Sequence, residues 1–249
     1  MIYFCHKFRI SNAFGYNHTT MMKANEKIPV ITIDGPSGSG KGTLCQILAR
    51  KLNWHLLDSG AIYRVLAFAA FQANIPLMQD DLLVQIAGDM KLQFKPQSDN
   101  TLKVLLNNQD VSKEIRTEAN GQRASVVSTS AQVREALLQK QRDFRQFPGL
   151  VTDGRDMGTT VFPNAGLKLF LSASAEERAK RRYEQLINQG INANLAQVLD
   201  ELLVRDQRDT ARSASPLQVA ADAISIDTTK LSIEQVVEQV MGLAKARFT

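Results

Sequence analysis

Five short apolar runs punctuate the chain, at Val30 to Ile33, His55 to Leu57, Leu150 to Thr152, Lys168 to Leu171 and Ala223 to Ile226. None alternates apolar with polar residues as a half-exposed strand does, so each predicts a strand of a parallel sheet covered on both faces. Between the runs the apolar period changes to that of a helix. Leu44, Ile47, Leu48 and Leu52 form a stripe after Gly42, and a second helix is predicted over about Ala131 to Phe147. Ser174 with Glu177 reads as a capping box opening an Arg-rich helix that ends near Gly190. Ser232 with Gln235 opens a last helix whose stripe is Ile233, Val236, Val237 and Val240.

Strands alternating with helices predict a doubly wound α/β domain, which binds ligands beyond the carboxyl ends of its strands. Polar residues stand at those ends: Asp34 and Gly35, Asp58 and Ser59, Asp153 through Asp156, Ser172, and Asp227. Residues Leu92 to Val111 break the rhythm. KLQF and LKVLL flank PQSDNT and are followed by NNQD, which predicts a small antiparallel hairpin or three-stranded insert on the substrate side.

Composition narrows the class without naming a function. With 249 residues, 44% hydrophobic and 22% charged, the chain has ordinary globular character. The apolar run around Val65 to Phe71 is too short to cross a bilayer, so no membrane association is expected. The net charge of +5 is read as a solvated surface plus an arginine-lined phosphate pocket, because no basic stripe interleaved with aromatics marks a nucleic-acid partner. Cys5 and Cys45 have no metal-ligand spacing, which fits a reduced, cytoplasmic setting. Residues 1–27 form a leader without acidic side chains over its first 24 positions and without a sustained apolar stretch. It is expected to be disordered or to precede the true start at Met21 or Met22.

The strongest chemical signal follows the first strand. VITI runs into Gly35, Pro36, Ser37, Gly38, Ser39, Gly40, Lys41, Gly42 and Thr43, and then directly into a helix. Glycines there let successive backbone N–H groups turn toward a phosphate, the helix start adds partial positive charge, and Lys41 reaches the outer phosphates. ATP is therefore the expected ligand, with Mg²⁺. The general pattern places Ser or Thr immediately after the lysine, whereas Gly42 precedes Thr43 here. Thr43 is thus expected to touch phosphate or magnesium through water, as in the nucleoside monophosphate kinases that this GxxGxGKGT form resembles.

A kinase acting on a phosphorylated acceptor needs a second anion site facing the first. Two unit charges 4 Å apart repel by about 4 kcal/mol at an effective dielectric near 20, so several cations must converge. Arginine suits this because its planar fork binds phosphate bidentately and stays charged. Arg64 follows the second strand and Arg155 the third. Arg178, Arg181 and Arg182 have spacings that can share one helical face, and Arg205, Arg208 and Arg212 recur with Asp206 and Asp209.

The segments GPSGSGKGT, WHLLDSGAIYR, DVSKEIRT, VREALLQKQRDFR, DGRDMGTTVFP, SAEERAKRR and RDQRDTAR, in this order, closely resemble bacterial cytidylate kinases from about Ile28 to the C-terminus. The resemblance implies a three-layer P-loop fold over residues 28–249 with a five-stranded parallel sheet. It also implies a monophosphate-binding region over about 59–135, with the β insert near 92–111, and a short lid over about 174–192. Ser59 and Arg64 would hold the acceptor phosphate beside Arg155; Ser125, Arg134 and Asp156 would read cytosine; Asp209 and Arg212 would contact the pentose. Arg178, Arg181 and Arg182 would close over the transfer centre as catalytic lid arginines, with Lys41 and Arg155. The implied reaction moves the terminal phosphoryl of ATP to CMP, and to dCMP, in a monomeric enzyme. A kinase for AMP, UMP or shikimate and a non-catalytic ATP-binding module are the alternatives.

Overall fold

The computed structural model describes residues 28–97 and 102–248. The leader and the tip of the predicted β insert lie outside the described residues. The central sheet is built from β1 (Val30–Asp34), β2 (His55–Asp58), β6 (Leu150–Gly154), β7 (Leu167–Ser172) and β8 (Ile224–Asp227). All neighbours pair in parallel, in the order β2-β6-β1-β7-β8. The strand that feeds the glycine-rich loop is therefore central, and it is buried along its whole length.

The pleat sends alternate residues of β1 to opposite faces. Ile31 and Ile33 join a core with α1 (Lys41–Leu52) and α8 (Ile233–Phe248), through Leu44, Leu48, Val237 and Val240. The opposite face carries Val30, which packs into a second core with α2 (Ser59–Gln72), α3 (Asp80–Asp89), α4 (Glu118–Val127) and α5 (Ala131–Arg142). Helix, sheet and helix thus form three layers. The insert is a three-stranded antiparallel sheet of β3 (Leu92–Pro96), β4 (Leu102–Leu106) and β5 (Gln109–Asp110). Val104, Leu106 and Val111 anchor it to the α2 side. A smaller cluster of Ala179, Leu186, Val198 and Leu202 joins α6 (Ala175–Asn188) to α7 (Leu195–Ala211).

Two local expectations change. The helix predicted to run to Phe147 stops at Arg142, because Phe144 packs into the core and Arg145 turns to bond the Ile28 carbonyl with Nε (2.9 Å) and Nη2 (2.6 Å). The capping box at Ser232 is complete, Gln235 N donating to Ser232 Oγ (3.3 Å) and Ser232 N to Gln235 Oε1 (2.9 Å). The one at Ser174 is half made. Its Oγ accepts from Glu177 N (3.2 Å), but Ser174 N donates to Thr229 Oγ1 (3.0 Å) and the Glu177 carboxylate faces Arg181.

Candidate active site

The carboxyl ends of β2, β6 and β7 open into a cleft of about 930 Å³, lined by the glycine-rich loop that follows β1, the starts of α2 and α4, the loop after β6 and the facing sides of α6 and α7. Its floor is fixed by close backbone approach. Gly35 has φ +145°, and a Cβ there would stand 2.0 Å from the Leu171 carbonyl oxygen. Lys41, at the start of α1, donates from Nζ to Pro36 O (2.6 Å) and Ser39 Oγ (3.3 Å). Burial, with Arg155 nearby, pulls its pKa down to about 7. An arriving phosphate removes both causes, restoring water-like solvation of charge and offsetting the arginine.

Opposite the loop, cations crowd. Arg155 is held by Asp209, Nε to Oδ2 at 2.6 Å, and donates from Nη1 to its neighbour's carbonyl, Gly154 O (3.1 Å). Asp209 is buried, yet Arg155 and Arg205 outweigh desolvation and keep its carboxyl below the usual range. Arg205 is driven down to about 10 by burial and then by Arg155 and Arg64. The Nε atoms of Arg64 and Arg205 are buried without a hydrogen-bond partner. Guanidiniums crowded together with donors left unmet form a site shaped for an anion.

At the far end, Arg134 from α5 pairs with Asp156 and donates to Ser128 O (3.2 Å), while Arg212 Nη2 stands 3.8 Å from the other Asp156 oxygen. The ring of Tyr63 lies 5.4 Å from the Arg134 guanidinium carbon. The hydroxyls of Tyr63 and Ser125 are buried here and have no partner. Ser59 donates its proton to Gln141 Oε1 (2.9 Å), so Gln141 is tied to the same wall. Asp153, at the end of β6 beside Asp58, is raised to about 7 by burial and by that neighbour, and its Oδ1 is unmet.

A family model described as cytidylate kinase matches residues 31–246. The chain belongs to the cytidylate kinase family. A cytidylate kinase of Proteus mirabilis (strain HI4320) is 54% identical over 218 residues, covering 88% of this chain and 96% of the relative. One of Pseudomonas fluorescens (strain Pf0-1) is 56% identical over 219 residues, again covering 88% and 96%.

Set against what membership in cytidylate kinases implied, the cleft brings together Ser37 through Thr43, Ser59, Arg64, Ser125, Arg134, Arg155, Asp156, Arg181, Arg182, Asp209 and Arg212. Arg178 is the correction. Instead of sharing an open face with Arg181 and Arg182, it is buried behind the glycine-rich loop, bonding Ser37 O (3.1 Å), Ala173 O (3.0 Å) and the Asp206 carboxylate (2.5 Å). Its backbone would meet a Cβ at Gly38, so α6 packs directly on the loop. Arg181 binds Thr228 O (2.6 Å), and Arg182 reaches across to Glu118 of α4 (2.7 Å). Asp153, Asp58 and Tyr63 line the cleft without having been given a ligand-binding role, Gln141 stands behind Ser59, and Arg205, noted only as one of a group of arginines, takes a central place. Arg205 carried a usable signal, since its spacing of four from Asp209 places both on one face of α7.

Proposed function

We propose that this member of the cytidylate kinase family transfers the terminal phosphoryl group of ATP to CMP, and to dCMP, giving ADP and the nucleoside diphosphate. The observation that carries the reading is the pairing, within one cleft, of a lysine-bearing glycine loop with a facing set of Arg64, Arg155 and Arg205, beyond which a buried Asp156 lies. The triphosphate lies on Gly35 to Thr43, and the acceptor phosphate lies among the arginines. Cytosine then reaches Arg134, Asp156 and Ser125. A carboxylate accepts from the cytosine N4 amino group, whereas uracil presents an oxygen there, so Asp156 favours CMP over UMP. Asp209 and Arg212 stand where the pentose passes between the two ends.

An oxygen of the acceptor phosphate attacks the γ-phosphorus as the bond to the ADP oxygen breaks. The acceptor is already anionic, so no side chain has to remove a proton. Catalysis consists of holding the reactants in line and meeting the charge that spreads over the equatorial oxygens, the work of Lys41, Arg155, Arg181 and Arg182. Arg178 supports this by fixing the loop from behind. The partly buried Asp153 carboxylate, unmet at Oδ1, and the exposed Thr43 hydroxyl, both lining the cleft, are oxygen donors that would hold Mg²⁺, which would supply positive charge against the triphosphate. Closure of residues 174–192 over the cleft excludes water from the transfer. The protein works as a monomer in the cytoplasm; no described helix is long and apolar enough to cross a membrane. A coupled assay of ADP formation with CMP, dCMP, UMP and AMP tests the reading. Turnover confined to CMP and dCMP is expected, and a preference for AMP or UMP refutes it.

A further inference from the structure

Beyond the cleft wall, the carboxylate of Asp34 occupies a place that the reaction does not directly use. It is the last residue of β1, immediately before Gly35, and is 5% exposed. Its Oδ1 accepts from Met157 N (2.9 Å) and its Oδ2 from Gly158 N (2.8 Å). Those are the first amides of the π-helical turn Met157–Val161 that follows Arg155 and Asp156. Amides at the start of a helical turn have no partner within it and are ordinarily met by the side chain of the preceding residue. Here that residue is Asp156, and it makes no such bond. Asp34 makes both bonds in its stead, which leaves the Asp156 carboxylate to face Arg134 and Arg212 in the cleft. Gly158 completes the fit: a Cβ there would come within 3.0 Å of Thr32 Oγ1, 3.2 Å of Lys168 Cδ and 3.3 Å of Asp34 Oδ2.

We propose that Asp34 is the positioning residue of the acceptor site, capping the turn after Asp156 from the neighbouring strand so that Asp156 and Arg155 are held toward the acceptor nucleotide. Through it, the strand that carries the ATP loop and the loop that reads the acceptor share one rigid joint. The groups around Asp34 are Lys41 from α1 and Asp156 from the turn, with the stem of Lys168 from β7 beyond Gly158 and the thiol of Cys45 within electrostatic reach. The Lys168 ammonium is turned away to Pro163 O (2.6 Å) and Asp222 (2.8 Å). Burial, with Asp156 adding to it, raises Asp34 to about 6 against the opposing pull of the two amides and Lys41. The grip on the turn is therefore complete above that pH and weakens as the carboxylate takes up a proton.

The test rests on the reading of CMP as acceptor, which the wild-type assay settles before any variant is made. Asp34→Asn turns an amide NH₂ toward one of the two N–H donors. KM for CMP is expected to rise by about tenfold or more, with KM for ATP changing much less. The ratio of wild-type to variant kcat/KM for CMP, followed from pH 8 to pH 5, should fall toward one around pH 6. CMP ionises in the same range, but it does so equally for both proteins and cancels in the ratio. Should Asp34→Asn unfold, Gly158→Ala presses a methyl against the same carboxylate and should raise KM for CMP selectively while keeping the wild-type pH profile. A ratio that is flat with pH, or equal rises in both KM values, would overturn the proposal.

Discussion

Lys41 enters nucleotide binding with an incomplete charge, and that has a measurable consequence. With a pKa of about 7, the ammonium of the unliganded protein holds only ~0.1 of its proton at pH 8 and ~0.5 at pH 7. Its burial and the nearby Arg155 are the causes, and a polyphosphate against Nζ opposes both. Binding ADP at pH 8, where its own phosphates are fully ionised, should therefore draw close to one proton from solution, about 0.9 by the same arithmetic. Isothermal titration in buffers of different ionisation enthalpy reads this number as a slope. Asp153 also lies near the bound phosphates and is raised to about 7, so it is a second candidate source of uptake. Lys41→Arg separates the two. A guanidinium keeps its proton throughout this range, so the slope should fall to near zero while ADP still binds. A wild-type slope near zero at pH 8, or one unchanged in the arginine variant, would refute the assignment of a lowered pKa to Lys41.

Asp156→Ala should narrow the ratio of kcat/KM for CMP over UMP by one to several orders of magnitude, within the ~10⁴ to 10⁵ that a buried polar contact can provide. Because it also leaves Arg134 buried and unpaired, the urea midpoint should drop by the equivalent of about 3–5 kcal/mol. Gly35→Ala should lose at least about 3 kcal/mol and bind ATP poorly, since its Cβ would strike the Leu171 carbonyl at 2.0 Å; urea unfolding and ATP titration check both. Between pH 7 and pH 5 the unliganded protein should gain stability from Asp34 and Asp153. Their folded pKa values of about 6 and about 7 exceed the ordinary carboxylate value of 3.8, so the native state binds more protons than the unfolded one in that window, worth at most about 4 kcal/mol together. Urea midpoints of wild type and Asp34→Asn across that range measure the share of each.

What the sequence revealed depended on whether partners were close along the chain. The glycine loop, its lysine and the following helix are consecutive, so Gly35 to Thr43 could be read as one device. The five parallel strands needed only runs of apolar residues, and the cleft at their carboxyl ends only the rule that ligands gather there, whereas the order of the strands was not among the expectations. The roles of single side chains did not follow in the same way. Arg178 and Arg182 are four residues apart on one helix, yet one turns inward to Ser37 and Asp206 and the other outward to Glu118. Spacing alone describes a shared face, and only packing of α6 on the loop at Gly38 separates the two. Asp34 stood out in the sequence merely as a polar residue at a strand end. Its partners at Met157 and Gly158 lie 123 and 124 positions away, beyond the reach of any local pattern. The early stop of α5 likewise depends on Arg145 reaching Ile28 from 117 positions along the chain.

These long-range contacts have a common logic. Arg64, Arg155 and Arg205 repel one another, Asp58 and Asp153 do the same, and Lys41 is stripped of water, so the empty cleft is destabilised by its own charges. Parts of this arrangement are held by groups around it: Arg155 by Asp209 within the cleft and, from behind the cleft wall, the glycine loop by Arg178 and the turn after Asp156 by Asp34. Were those supports removed, the arginines would relax apart into solvent and a phosphate would have to reassemble them on arrival. With them in place, the nucleotides meet donors already aimed and poorly solvated, so binding relieves strain that the rest of the fold sustains. Discrimination and turnover in this cleft therefore depend on residues that touch no substrate as much as on those that do.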